Sequence, residues 1–243
     1  MKIDLSDGIS DELNTPIKLK WALRTFIFGI AVGALLYAGL FTKDAVVEMS
    51  ERKQVSANLV ESYSMTRGFI NNAYGTYWNY CGVWITADHV HRETLGGVPE
   101  NVVGDAVKQE SFIDATFYGN DWTCENPEDF IEGQDVWMAG YSGGNEELAV
   151  RRGQVYLKRS SSGSDGYENP TWIIIFPKNG VNSILNEPVA GGMSGGIVVD
   201  AETNLPLGII VTQNSEAEIQ GFGSVHSSDV VSLKDAHNAL ISN

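Results

Sequence analysis

Ser194 stands among four glycines in GGMSGGIVVD, residues 191–200, after which the chain turns apolar and β-branched. A serine attacks a carbonyl carbon effectively only when its Oγ is exposed and backbone N–H groups are aimed at the oxyanion that forms. Glycines permit the tight turn that points several N–H groups one way, and they leave room for a substrate backbone. On this reading Gly192, Met193 and Ser194 supply an oxyanion hole; an ordinary glycine-rich turn between strands would use the same string. Such a nucleophile needs a base, and the chain has four histidines. His89 follows an apolar strand in CGVWITADHVH, where Thr86 and Ala87 end the ladder and begin a turn, a suitable mount for a general base. His91 is expected to be exposed or packed beside its neighbour, and His237 to lie on the surface of a closing helix. His226, in GFGSVHSSD, could lie near a substrate groove. The base needs an acid that fixes its tautomer and stabilises the imidazolium. Asp114 is bracketed by Phe112, Ile113, Ala115 and Phe117 in an apolar strand, where a carboxylate is costly without a partner. Asp105 and Asp121 sit in polar stretches and read as solvated, and the side chain of Asp88 should diverge from that of His89.

Short apolar or alternating runs must carry these groups. YCGVWIT, SFIDATFYG, DVWMAGYSGG, RGQVYLKR, TWIIIFP, GGIVVD and LPLGIIVTQ are separated by Gly, Asn, Asp and Ser, a pattern that predicts an all-β barrel or sandwich. SSSGSDGYENP, residues 160–170, reads as a polar loop. Val230, Val231, Leu233, Ala236 and Leu240 have near-helical spacing and predict a short C-terminal helix.

Upstream, TFIFGIAVGALLYAGLF at 25–41 contains no charge, and with WALR before it gives 21 residues, enough to cross a hydrocarbon core. Lys18, Lys20 and Arg24 precede it and Lys43 follows, which predicts a cytoplasmic N-terminus and an exterior or periplasmic main domain. The competing reading, a cleaved signal peptide, fits less well because 24 residues lie before the apolar run. The expected organisation is a cytoplasmic tail at 1–20, a transmembrane anchor at 21–41, a linking helix or stalk at 42–62 and the main domain at 63–243. Net charge is -15, and residues 51–243 carry 11 basic against 25 acidic side chains. That surface repels phosphate backbones, so nucleic acid is not an expected partner. Cys81 and Cys124, the two cysteines, could meet as a disulfide or remain buried thiols, and no Cys/His spacing suggests zinc.

ITADHV, IDATFYG and GGMSGGIVVD, in that order, resemble the three signature blocks of the chymotrypsin-like serine peptidases, notably their bacterial trypsin-like and HtrA-type members. GQDVWMAGYSGG and VRRGQVYLK resemble the first strands of that group's second barrel, and the likeness runs over about residues 64–228. It implies a double six-stranded antiparallel β-barrel with the site in the cleft between halves. It also implies His89 as base, Asp114 as its orienter, Ser194 as nucleophile, the N–H groups of Gly192 and Ser194 as oxyanion hole, a polypeptide substrate and no cofactor or metal. Met193 departs from the Asp that many animal relatives carry before the serine, and Pro188 from the acid that marks cleavage after Lys or Arg. With 49 residues after Ser194, no PDZ module is expected. Gly192–Gly196 also satisfies Gly-x-Ser-x-Gly, the α/β-hydrolase elbow, but that elbow needs a helix after the serine and the order Ser, Asp, His. A protease-like fold used only for binding at the membrane is the non-enzymatic alternative.

Overall fold

The computed structural model describes residues 46–70, 73–93, 98–107, 113–119, 122–142, 148–162, 168–176, 191–219 and 223–241. The expected cytoplasmic tail and anchor, together with Asp121 and Pro188, lie outside these residues. Among the described residues no helix is long and apolar enough to cross a membrane.

Helix α1, residues 46–63, opens the described chain. Leu59 and Tyr63, one helical turn apart, are buried in the core, and the Tyr63 hydroxyl donates to the Asn204 carbonyl at 2.8 Å. The C-terminal end of the expected stalk is therefore packed into the folded unit.

Strands β1 (Thr66–Ile70), β2 (Ala73–Tyr80), β3 (Val83–Thr86), β4 (Ala106–Val107) and β5 (Thr116–Tyr118) form an antiparallel sheet in the order β1-β2-β3-β5-β4, with the short helix α2 (Asp88–Glu93) after β3. Tyr80 pairs with Val83, so Cys81 and Gly82 form a two-residue turn, both with positive φ, 55° and 87°. That backbone matches the twist of the flanking strands. Cys81 thus occupies the hairpin turn and does not begin a strand. Asp114 sits in a bend just before β5, where Ala115 N–H donates to the Ile113 carbonyl at 2.8 Å, so the acid is set at the strand's mouth and not within it.

The second half is a closed barrel, β10-β11-β8-β7-β6-β9, built from β6 (Asp135–Tyr141), β7 (Leu148–Ser162), β8 (Glu168–Phe176), β9 (Ile197–Asp200), β10 (Pro206–Ile219) and β11 (Gly223–Ser232). The expected pair of six-stranded barrels is met here by one closed six-stranded barrel and, among the described residues, one five-stranded sheet. Strand β7 runs to Ser162 and β8 starts at Glu168, so much of the expected loop at 160–170 is paired strand.

Period-two alternation explains why the barrel's strands are apolar on both faces. Val136, Met138 and Val198 fill the barrel interior, whereas Trp137, Ala139, Ile197 and Val199 face a second core shared with α1, the first sheet and α3 (Leu233–Ile241). Val230 and Val231 belong to β11, one pointing into each core, so the closing helix begins later than the spacing predicts. His237 is buried, 5% exposed, and stacks on Trp122 with centroids 4.4 Å apart, in place of the expected surface position.

Cys81 and Cys124 form a disulfide across 43 residues, and Thr123 donates through N–H and Oγ1 to the Cys81 carbonyl beside it. Closing a loop of that length removes about 4 kcal/mol of unfolded-chain entropy as an upper bound. The double substitution Cys81→Ser/Cys124→Ser should lower unfolding free energy in urea by about 2–4 kcal/mol. An unchanged midpoint would show that the bridge does not constrain the unfolded chain.

Candidate active site

His89 is the second residue of α2, and Asp114 holds it twice. Its N–H donates to Asp114 Oδ1 at 2.9 Å, and its Nδ1 lies 2.7 Å from Asp114 Oδ2. An ionised carboxylate only accepts, so Nδ1 carries the proton and the lone pair of Nε2 is left outward. The side chain of His89 is 30% exposed and that of Asp114 16%. Burial opposes the imidazolium, but the hydrogen bond and negative charge of Asp114 outweigh it, and the His89 pKa is raised. Burial likewise works against the Asp114 carboxylate, and the His89 bonds and charge reverse that, so its pKa is lowered. Asp88 points elsewhere: it accepts from Thr116 Oγ1 at 2.9 Å and pairs with Arg92 Nε at 2.8 Å.

The turn around Ser194 shows where its backbone groups go. Ser194 C=O accepts from Thr76 N–H at 2.9 Å, and Gly195 C=O accepts from the indole N–H of Trp78 at 3.1 Å. Gly195 N–H donates to Ile210 C=O, Ile210 N–H donates back to Gly196 C=O, and Gly196 N–H donates to Met193 C=O. Among the described residues the N–H groups of Gly192 and Ser194 have no acceptor. A side chain at Gly195 would strike Thr76 O and Thr86 Oγ1, each 2.4 Å from the Cβ position, and one at Gly196 would strike Ala139 O at 2.3 Å. The glycines after the serine thus let the turn lie flat against β2, β3 and β6. The Gly195 Cβ position is also 3.2 Å from the N of Ala87, two residues before His89. Met193 anchors the turn from below, fully buried in the barrel core with Met138, Val198 and Phe176.

The side chain of Ser194 is half-buried, and its Oγ donates to Val211 C=O at 3.0 Å. The structure joins His89 to Asp114 by hydrogen bonds and sets the serine turn against the end of the strand that leads to His89. Two of the other histidines are engaged elsewhere: His91 Nδ1 meets the Tyr118 hydroxyl and His237 stacks on Trp122, while His226 pairs with Phe176 in the β11–β8 ladder. Asp105 is exposed, as its polar surroundings predict.

No protein-family model and no curated protein sequence matches this chain. Solved structures do. The Rv3671c protease in an inactive form superimposes with a TM-score of 0.50 at 17% identity, over 78% of this chain and 92% of that one. The active form of that protease from M. tuberculosis gives 0.47 at 16% identity, over 73% and 78%. The HtrA-type protease AlgW, solved with a tripeptide, gives 0.49 at 18% identity, over 77% of this chain and 62% of that one. The fold is that of the chymotrypsin-like serine proteases.

Within this chymotrypsin-like fold the serine turn is followed by strand β9 and not by a helix, which removes the α/β-hydrolase elbow. Sequence reasoning missed Thr76, Trp78 and Val211, the partners of the serine turn. Nothing local marks them, because each bond depends on how strands distant in sequence come into register. The coupling of His89 to Asp114 predicts that Asp114→Asn lowers the imidazole titration midpoint of His89, followed by ¹⁵N NMR. An unmoved midpoint would contradict the contribution assigned to the carboxylate.

Proposed function

We propose that this chain is a serine endopeptidase in which His89 is the general base, Asp114 its orienting acid, and Ser194 the nucleophile. The observation that carries the reading is the doubly bonded His89–Asp114 pair beside a serine turn whose Gly192 and Ser194 N–H groups have no acceptor among the described residues. Attack begins when the Ser194 hydroxyl leaves Val211 C=O, a rotation about χ1 that gives up one hydrogen bond worth about 1 kcal/mol net. The Oγ then forms its bond to the scissile carbonyl carbon and its proton passes to His89 Nε2. The resulting imidazolium is stabilised by Asp114, and the oxyanion is received by the N–H groups of Gly192 and Ser194. Nε2 returns the proton to the leaving amine as the C–N bond breaks. Water, deprotonated by the same imidazole, then releases the acyl group.

Met193 bears on how the turn is maintained. An Asp at that position would need a cationic partner, whereas a thioether in an apolar core adds packing to the hydrogen bonds that hold the turn. On this reading the site is preset and needs no activating cleavage. The apolar segment at 21–41 anchors the enzyme with its N-terminus in the cytoplasm and the peptidase domain in the periplasm or outside the cell. The Cys81–Cys124 bridge supports a location in an oxidising compartment.

A second reading, a protease-like binding module, is favoured by the Ser194 hydroxyl being bonded to Val211. A fluorophosphonate probe separates the two, since only an activated serine reacts. The full-length protein should be labelled at Ser194, and Ser194→Ala and His89→Ala should each lose labelling and nearly all peptide hydrolysis while keeping their melting temperature. Asp114→Asn should slow turnover by a factor on the order of 10⁴, the cost of the wrong imidazole tautomer in a Ser-His-Asp triad. The pH profile of kcat/KM should rise through the raised pKa of His89, because the base acts only when neutral. Wild-type turnover in Ser194→Ala would sink the mechanism, and an unlabelled wild type would favour the binding module.

A further inference from the structure

Strand β2 brings two buried residues to the serine turn from the other half of the molecule, Thr76 through its backbone N–H and Trp78 through its indole. Thr76 and Trp78 are two positions apart, hence on one face of the strand, and both are fully buried. Thr76 uses all three of its polar groups. Its N–H donates to Ser194 C=O at 2.9 Å, its C=O accepts from Thr86 Oγ1 at 2.8 Å, and its Oγ1 accepts from Tyr141 N–H at 2.9 Å. It therefore ties together the serine turn, the end of the strand before His89, and the end of β6. A Cβ on Gly140 would approach both Met193 O, at 2.8 Å, and Thr76 Oγ1, at 3.0 Å, so this junction is packed to contact. Trp78 holds the next peptide, donating from Nε1 to Gly195 C=O at 3.1 Å. Its indole is fixed on another side by the ring of Tyr63, set edge-on at 87° with centroids 6.1 Å apart.

We propose that Thr76 and Trp78 are positioning residues for the nucleophile, fixing the peptide planes on either side of Gly195 so that Ser194 Oγ and its N–H keep their places relative to His89. The proposal rests on the serine-endopeptidase reading. Two successive carbonyls of the turn are bound from the same stretch of β2, one by the backbone N–H of Thr76 and one by the indole N–H of Trp78, so neither plane can rotate without breaking its bond. Losing the Thr76 hydroxyl leaves its backbone bond to Ser194 but takes the acceptor from Tyr141 N–H, which loosens the junction of β2 with β6 at the point where Gly140 lies against Met193 C=O. Losing the indole N–H leaves the Gly195 carbonyl buried without a donor, a state that favours rotation of the adjacent peptide. Neither residue touches the reacting atoms, and each acts through the turn.

The test compares Thr76→Val, Thr76→Ser and Trp78→Phe with wild type in the full-length protein. Trp84→Phe controls for the loss of another buried indole, in the neighbouring strand. The readouts are the rate of fluorophosphonate inactivation, kcat and KM on a fluorogenic peptide, and melting temperature. Thr76→Val and Trp78→Phe should lower both kcat and the inactivation rate at least tenfold with KM within about twofold, Thr76→Ser should recover most of the rate, and Trp84→Phe should lower melting temperature while leaving the inactivation rate near wild type. Inactivation of Thr76→Val and Trp78→Phe at the wild-type rate, or a loss of rate in Trp84→Phe equal to that in Trp78→Phe, would overturn the positioning role. A wild type that does not react at all would instead overturn the reading on which it rests.

Discussion

The carbonyl of Ser194 accepts a hydrogen bond from Thr76 N–H, and through that bond the second barrel's serine turn is fastened to the first sheet. The constraint is physical before it is chemical. A turn buried between two halves cannot leave its carbonyls without donors, since each orphaned group costs about 1–3 kcal/mol. The first sheet supplies those donors. Trp78 provides the second; Ile210, within the barrel, pairs with Gly195 N–H and Gly196 C=O, and Gly196 N–H donates to Met193 C=O. Among the described residues the N–H groups of Gly192 and Ser194 are left without an acceptor, and these are a pair an oxyanion could use.

Strands buried on both faces carry this arrangement. β6 and β9 send alternate side chains into the barrel and into the shared core, so the serine turn, which precedes β9, is held by packing on two sides. Met193 pins it to the barrel interior, while Ile197 and Val199 belong to the core that also takes Leu59 of α1 and Phe117 of β5. Full burial of side chains of this size contributes about 1.5–3 kcal/mol each. From the first half, α2 presents His89 and the bend before β5 presents Asp114, and the disulfide closes the loop that follows β5 onto the β2–β3 turn. The two sides meet where Gly195 lies against Thr86 and Ala87.

Much of the candidate site is legible in the residues themselves because its chemistry needs uncommon combinations. His89 follows an apolar strand, Asp114 is an acid among apolar neighbours, and Ser194 is a serine among glycines. Each carries a local cost or freedom that makes sense only with a partner. Thr76 and Trp78 carry no such mark, since a threonine and a tryptophan in an apolar strand are ordinary core residues until register sets them against the serine turn. The errors in the fold have similar causes. Strand β4 has two residues and leaves no periodic trace, so strand number could not be counted in the first half. Val230 and Val231 are consecutive and both buried, in different cores, a pattern that helix and strand spacing share over so short a run. His237 reads as a surface residue because its stacking partner, Trp122, lies in a loop more than a hundred residues earlier. Cys81 with Gly82 did offer a readable signal, since a glycine in a two-residue connection favours a hairpin turn.

The central proposal is that the serine turn, held from β2, presents the N–H groups of Gly192 and Ser194 together with Ser194 Oγ to one reacting carbonyl beside a His89 fixed by Asp114. A crystal structure of the protein after reaction with a peptidyl phosphonate tests this most directly. The account predicts phosphorus bonded to Ser194 Oγ and one phosphonyl oxygen within hydrogen-bond reach of both the Gly192 and Ser194 N–H groups. Ser194 C=O should still be bound by Thr76, and His89 Nδ1 by Asp114. An adduct whose oxygen turns away from those N–H groups, or a turn that has left Thr76, would contradict it.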